Sequence, residues 1–246
     1  TALYAAGFAE YGSALLGQQS GGLTSKMLGV GVIMVFTAVN IVSSKLVGRA
    51  ETAIITFELL ILFAFVVAGA FKADASLLSS DRAGGIVGML TGAALLYVTY
   101  QGFGVVTNAS DQMAKPARDL PRAMFWALGV VTAIYLTVST LVVALVPVPQ
   151  ILADSGHVLA DAGEAVAGRI GFLAIAAAAL LATASAVNAT VFAAANVASS
   201  VSAHEELSVV LARTIWRGTP VALLVSAGAA IALVIFFPLS AVGQMT

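Results

Sequence analysis

The stretch that decides the fold is residues 86–123, IVGMLTGAALLYVTYQGFGVVTNASDQMAKPARDLPRA. An apolar run long enough to cross a bilayer carries Tyr100-Gln101-Gly102-Phe103-Gly104 near its middle and stops at a basic, proline-punctuated loop. Glycine weakens a helix by roughly 1 kcal/mol relative to alanine and lets the main chain leave helical dihedrals. Freed N–H and C=O groups at membrane depth are tolerated only where protein or a water-lined cavity satisfies them. A span weakened at its centre therefore points to a discontinuous helix lining a midplane binding site, as transporters use. The competing reading is that Gly102 and Gly104 only permit close helix packing. Packing is the better reading for Gly84, Gly88 and Gly92, which recur every fourth residue at the start of the same run.

Composition agrees with a lipid solvent. Sixty per cent of the 246 residues are hydrophobic and nine per cent are charged, and the mean hydropathy is +1.03. A water-facing surface would demand more polar residues than that. The net charge of −1 offers no basic field for nucleic acid. Without cysteine, disulfides and thiolate metal sites are excluded. No nucleophile elbow, zinc-binding His-Glu pair, phosphate loop or dinucleotide fingerprint is present. The expectation is thus a protein that is not an enzyme and needs neither cofactor nor metal.

Apolar runs and their breakers predict seven spans in one transmembrane domain over 1–246, at about 1–17, 26–44, 52–71, 84–113, 123–147, 169–198 and 219–238. Nothing alternates with a period of two as a porin strand would. One set of alternate loops holds Lys45, Arg49, Lys115, Arg118, Arg122, Arg213 and Arg217, and the other holds Lys26, Lys72, Arg82 and Arg169. By the positive-inside rule the first set is cytoplasmic. The chain starts at Thr1 without Met and stops at Thr246 just past an apolar segment, as a piece of a longer protein would. Seven spans also suit a retinal photoreceptor, but residues 219–238 lack the lysine that such a protein needs.

The run Gly102-Phe103-Gly104, Val106-Thr107-Asn108-Ala109, Lys115-Pro116 and Leu120-Pro121-Arg122-Ala123 resembles the sixth helix and following loop of amino acid–polyamine–organocation permeases. Gly7-Phe8-Ala9-Glu10-Tyr11 is similar to helix three of that family, and Gly48-Arg49-Ala50-Glu51 to the start of helix five. Thr183-Ala184-Ser185-Ala186-Val187-Asn188-Ala189 resembles helix eight, and Thr219-Pro220 the start of helix nine. Two departures stand out. Asp111-Gln112 keeps one carboxylate of the family's acidic pair, and Asn196-Val197 and Leu207-Ser208 replace the usual loop after helix eight.

The resemblance implies an all-α membrane fold, helices three to nine of a twelve-helix carrier. Such a carrier is built as two inverted five-helix repeats, with substrate held where the first helix of each unwinds. It implies secondary active transport of amino acids by alternating access across the cell membrane, proton-coupled in the branch it most resembles. A sodium-coupled or exchange permease, or a transporter-like amino-acid sensor, remains an alternative. The family accepts the substrate ammonium on main-chain carbonyls of the broken helix. Carried over, the substrate-binding set is Val98, Tyr100, Gln101, Gly102, Phe103 and Gly104. Carbonyls at a half-helix C-terminus carry partial negative charge that suits a cation. Tyr97, Tyr100 and Phe103 form either an aromatic gate or a packing stripe. The glycine-rich turn that holds the substrate carboxylate belongs to a helix outside 1–246, so this chain carries half a site.

Glu58 lies nine residues beyond Arg49, about 13 Å along its helix, too deep to snorkel. An ionised acid near mid-bilayer costs on the order of 2.5–3.5 kcal/mol, and burial disfavours its charged form. The side chain is therefore suited to take up and release a proton. A carboxylate also suits sodium, and a protonated Glu58 bonded to a neighbouring helix is the structural alternative. In proton-coupled relatives a lysine commonly stands at the matching position. Thr183 and Ser185 are candidate hydroxyl ligands for the same ion, although such hydroxyls often bond the carbonyl one turn back. Glu10 is the one acid available for a cationic substrate, and the balance favours neutral amino acids. Asp111 reads as an interfacial charge. His157 and His204 fall in loops without metal-ligand spacing, and Asn108 and Asn188 head glycosylation triplets inside spans by chance.

Overall fold

The computed structural model describes residues 1–18, 21–42, 47–78, 86, 88, 90–93, 100, 113, 115–153, 156–203 and 221–237. Among these residues the protein is all-α, with no strand. The helices are α1 (Ala2–Leu15), α2 (Leu23–Val42), α3 (Val47–Ala70), α4 (Pro116–Leu145), α5 (Val148–Ala153), α6 (Val158–Ala203) and α7 (Val221–Phe236), with a 3-10 turn at Ala75–Leu78. Among the described residues four segments are long and apolar enough to cross a membrane: Leu23–Ile41, Thr52–Ala70, Pro116–Leu145 and Val158–Ala193. α7 is apolar but shorter, and α1 has 14 residues. Most of the expected span at 84–113 lies outside the described residues.

Two element boundaries differ instructively from the sequence reading. α4 begins at Pro116, seven residues earlier than expected, and takes in Pro121. Proline suits a first helical position because its missing N–H would have no partner there. Asp119 adds a negative charge at the positive end of the helix. The connector from Pro147 to Arg169 also holds helix, in α5 and in residues 158–166. That second piece runs into the long α6 through a break, with Ala167 at φ −133° and Gly168 at φ 63°, ψ −151°. The Gly168 geometry is essentially glycine-only. Regular helix resumes at Arg169, where the sequence placed the start of the span.

The chain divides into two compact units, Thr1–Phe65 with Leu152–Thr246, and Val66–Ile151. In the first unit α1, α2, α6 and α7 share one core made of Ala2, Ala5, Val32, Ile33, Val187, Val191, Leu223, Ala227, Ala230 and Val234. Small residues let these backbones approach, which is how membrane helices gain packing contacts. A side chain at Gly29 would press on Val234 at 2.9 Å, and one at Gly12 on Leu28 at 2.9 Å. Across the break, Gly163 and Gly171 lie against one another, so neither position has room for a Cβ.

Short polar clasps stitch this core. Ser13 and Ser25 share a buried hydroxyl bond of 3.0 Å, and Asn40 donates to Asn188 at 2.8 Å. The Lys26 ammonium donates to the carbonyl of Ile235 at 2.9 Å, which caps the end of α7 with positive charge. That contact joins the start of α2 to the end of α7. In the second unit the Asp74 N–H donates to the carbonyl of Ala144 at 2.9 Å. The Asp74 carboxylate accepts from the Ser76 N–H at 2.9 Å. Its bonds with the Ser76 side chain and backbone hold this carboxyl below its ordinary range.

The outer faces are apolar. Phe63, Phe125, Trp126 and Leu136 are each more than 60% exposed. Side chains of this size on the outside of long apolar helices are what lipid, not water, would cover. The chain is a multi-pass membrane protein.

Candidate functional site

Of the six expected substrate-binding residues, Tyr100 is described. Val98, Gln101, Gly102, Phe103 and Gly104 lie outside the described residues, as does Tyr97. Tyr100 belongs to the second unit, where its hydroxyl lies 3.0 Å from Oγ1 of Thr132 on α4. Its ring meets Tyr135 edge-on, with centroids 5.7 Å apart and planes at 76°. Thr132 and Tyr135 are three residues apart and so share a face of α4. The one described tyrosine of the break expected at about 97–104 thus has two partners on one helix.

Glu58 stands at the middle of the 24-residue α3. The residue is half-buried, and its Oε1 is shielded with no hydrogen-bond partner among the described residues. This is the condition under which a carboxyl either keeps its proton or takes a transient partner.

Thr183 and Ser185 sit on the regular part of α6. Thr183 bonds the carbonyls of Ala179 at 2.7 Å and Leu180 at 3.1 Å, and its methyl lies 3.3 Å from where a Cβ on Gly7 would stand. Its side chain therefore faces α1. Ser185, two residues on, points about 200° away around the helix. While α6 stays regular, the two hydroxyls cannot share one ion. Donation to a carbonyl still leaves a hydroxyl oxygen with a lone pair, so either residue alone keeps ligand capacity.

Glu10 is more deeply buried than the sequence indicated. It is 8% exposed on α1, and its Oε2 is without a hydrogen-bond partner among the described residues. The first unit also contains a cluster that the sequence reading passed over. His157 Nε2 lies 3.5 Å from Asp161 Oδ1, and the His157 ring stands edge-on to Phe172 at 5.9 Å. The Arg169 guanidinium covers Phe172 at 5.0 Å. The signal was the spacing of four between His157 and Asp161, hidden because the segment read as loop. Among the described residues no group of His, Asp or Glu could hold a metal ion.

Comparison with known proteins adds the family. The chain is 33% identical over 246 residues to an uncharacterized protein of Methanocaldococcus jannaschii, covering all of this chain and 57% of that one. It is 28% identical over 188 residues to the inner membrane transport protein YbaT of Escherichia coli, covering 76% of this chain and 44% of that one. It is also 27% identical over 119 residues to the branched-chain amino acid permease BcaP of Bacillus subtilis, covering 48% and 26%. The chain spans about half the length of the first two relatives. The profile of the family described as "Amino acid permease" matches residues 1–245. Taken with the apolar all-α bundle, that match means that the chain belongs to the amino acid permease family.

Proposed function

We propose that this chain is the part of a secondary active amino acid carrier that contributes a broken helix for the substrate and, on another helix, an ion-coupling acid. The family match over residues 1–245 carries this reading. In it, main-chain carbonyls between Val98 and Gly104 receive the substrate ammonium, and Tyr100 forms part of the aromatic wall. The full carrier, with two inverted repeats, alternates access to that site. A neutral amino acid is the preferred substrate. The named specificity of the Bacillus subtilis relative supports that choice, and so do the aromatic surroundings of Tyr100.

The coupling ion is a proton, and Glu58 carries it. The support is its central place in α3 and the unpartnered Oε1. Protonation removes the charge whose burial is costly, so the loaded and unloaded forms of the carrier would differ in which face Glu58 tolerates. One hydroxyl of α6, from Thr183 or Ser185, completes the site on this reading.

The deciding experiment is uptake by the intact carrier in proteoliposomes with imposed gradients. An inward proton gradient without sodium should drive accumulation of a neutral amino acid. A strict sodium requirement with no response to pH would replace the proton by sodium. Binding without flux under every gradient would make the protein a sensor.

A further inference from the structure

α4 is longer than a bilayer needs. Its 30 residues extend about 45 Å, against a hydrocarbon core about 30 Å thick. Counted back from Leu145, that core takes up about 20 residues and ends near Phe125 and Trp126. The first turns of α4 then stand at headgroup depth, and the side chains change character at the same level. Phe125 and Trp126 are 75% and 76% exposed, at the depth where aromatic side chains gather in membrane proteins. Arg118 and Arg122, both exposed, precede them. All four fall within about 100° of the helix circumference, so they form one face. Gly129 lies between the two aromatic positions, about one turn deeper, and nothing stands within 4 Å of where its Cβ would be. Lys115 adds positive charge just before α4, against one acid, Asp119, at the edge of the same face.

We propose that this face binds an anionic phospholipid, with the phosphate between Arg118 and Arg122 and an acyl chain in the notch over Gly129. Guanidinium forks match phosphate oxygens in pairs. The two arginines leave the helix one turn apart, about 6 Å along its axis, so both long side chains can reach one headgroup. A zwitterionic lipid brings the same phosphate together with an ammonium that the basic patch repels. A headgroup of net negative charge meets no such penalty. Basic residues beside a span attract anionic lipid in general. Here the aromatic pair and the notch between its members add a seat for the chain below the charge.

The test uses the intact carrier in bilayers containing bromine-labelled phosphatidylglycerol or phosphatidylcholine at equal ionic strength. The difference in tryptophan fluorescence between the unmutated protein and Trp126→Phe reports quenching at Trp126. Phosphatidylglycerol should be preferred there by about fivefold for each arginine, the pull of one basic residue near a charged surface. Arg118→Gln and Arg122→Gln should each lose about fivefold, and the two together should leave no preference. Gly129→Leu keeps both charges and fills the notch, so it should weaken quenching by phosphatidylglycerol about fourfold, the worth of one buried methylene. Equal quenching of the unmutated protein by the two lipids would overturn the assignment without recourse to any variant. A preference that survives the loss of both arginines would overturn it too. So would a Trp126 that neither lipid quenches, because another part of the carrier then covers this face. Inorganic phosphate in place of chloride should leave the preference intact. If phosphate abolishes it, the arginines bind the free ion and the lipid assignment falls.

Discussion

Two kinds of polar group are buried within the first unit, and they are handled in opposite ways. At the contacts among α1, α2 and α6, neutral groups find one another: Ser13 with Ser25, and Asn40 with Asn188. The carboxyls Glu10 on α1 and Glu58 on α3 are each left with an oxygen that has no partner among the described residues. Serine and asparagine are matched, fixed and complete, as expected of residues that hold helices together. An acid left incomplete within an apolar helix costs stability. The contrast sets residues that hold helices together apart from acids with an unmatched oxygen.

The sharpest way to break that contrast is Glu58→Gln, which keeps size and polarity and cannot ionise. Accumulation driven by a proton gradient should fall to background, while counterflow, which needs no net proton movement, should survive. Normal accumulation by the glutamine variant would put Glu58 among the structural residues with Asn188. The next largest effect is on folding. Gly171→Val forces a side chain into the backbone of Gly163, and monodisperse protein in detergent should be largely lost. Gly168→Ala at the neighbouring break should be milder, at about 1–3 kcal/mol, because only the dihedral is penalised. Unfolding followed by denaturant would rank the two.

The matched pairs should give smaller values. A double-mutant cycle with Asn40→Leu and Asn188→Leu should return a coupling of about 0.6 kcal/mol, typical of such bonds in lipid. A coupling near zero would mean that the amide pair holds nothing. Smallest is Asp74. Its carboxyl is held below the ordinary range, so its hold on the 3-10 turn is present above that range and is lost as pH falls through the lowered value. Hydrogen exchange at Ser76–Leu78 should quicken only in strong acid, and Asp74→Ala should remove that pH response.

Much of this was legible in the sequence because bilayer thickness is a blunt ruler. Apolar run length led to spans at about 26–44, 52–71 and 219–238, and α2, α3 and α7 overlap them. What escaped depended on chemistry that hydropathy ignores. Pro116 read as a loop residue because proline breaks helices in general, though it starts them well. His157 and Asp161 read as loop residues because their turn is too short and polar to register. Glu58 was legible as an anomaly from its neighbours alone. The Tyr100–Thr132 pair was not legible, because nothing in either segment announces a partner 32 residues away.

The Lys26 clasp on α7 has a consequence for how the protein is made. Its two ends are separated by 209 positions, which a ribosome adding roughly 5–20 residues per second takes about 10–40 s to synthesise. Through that interval the α1–α2 hairpin resides in the bilayer without its later partners. The hairpin is equipped for the delay. Ser25 bonds Ser13 and the carbonyl of Ala9 inside it, and Asn40 already donates to the carbonyl of Phe36 one turn back. Lys26, at the start of α2, can stay hydrated until α7 arrives. Assembly of these helices thus has a natural order: the α1–α2 hairpin before α7, with a lysine that fastens α7 to it.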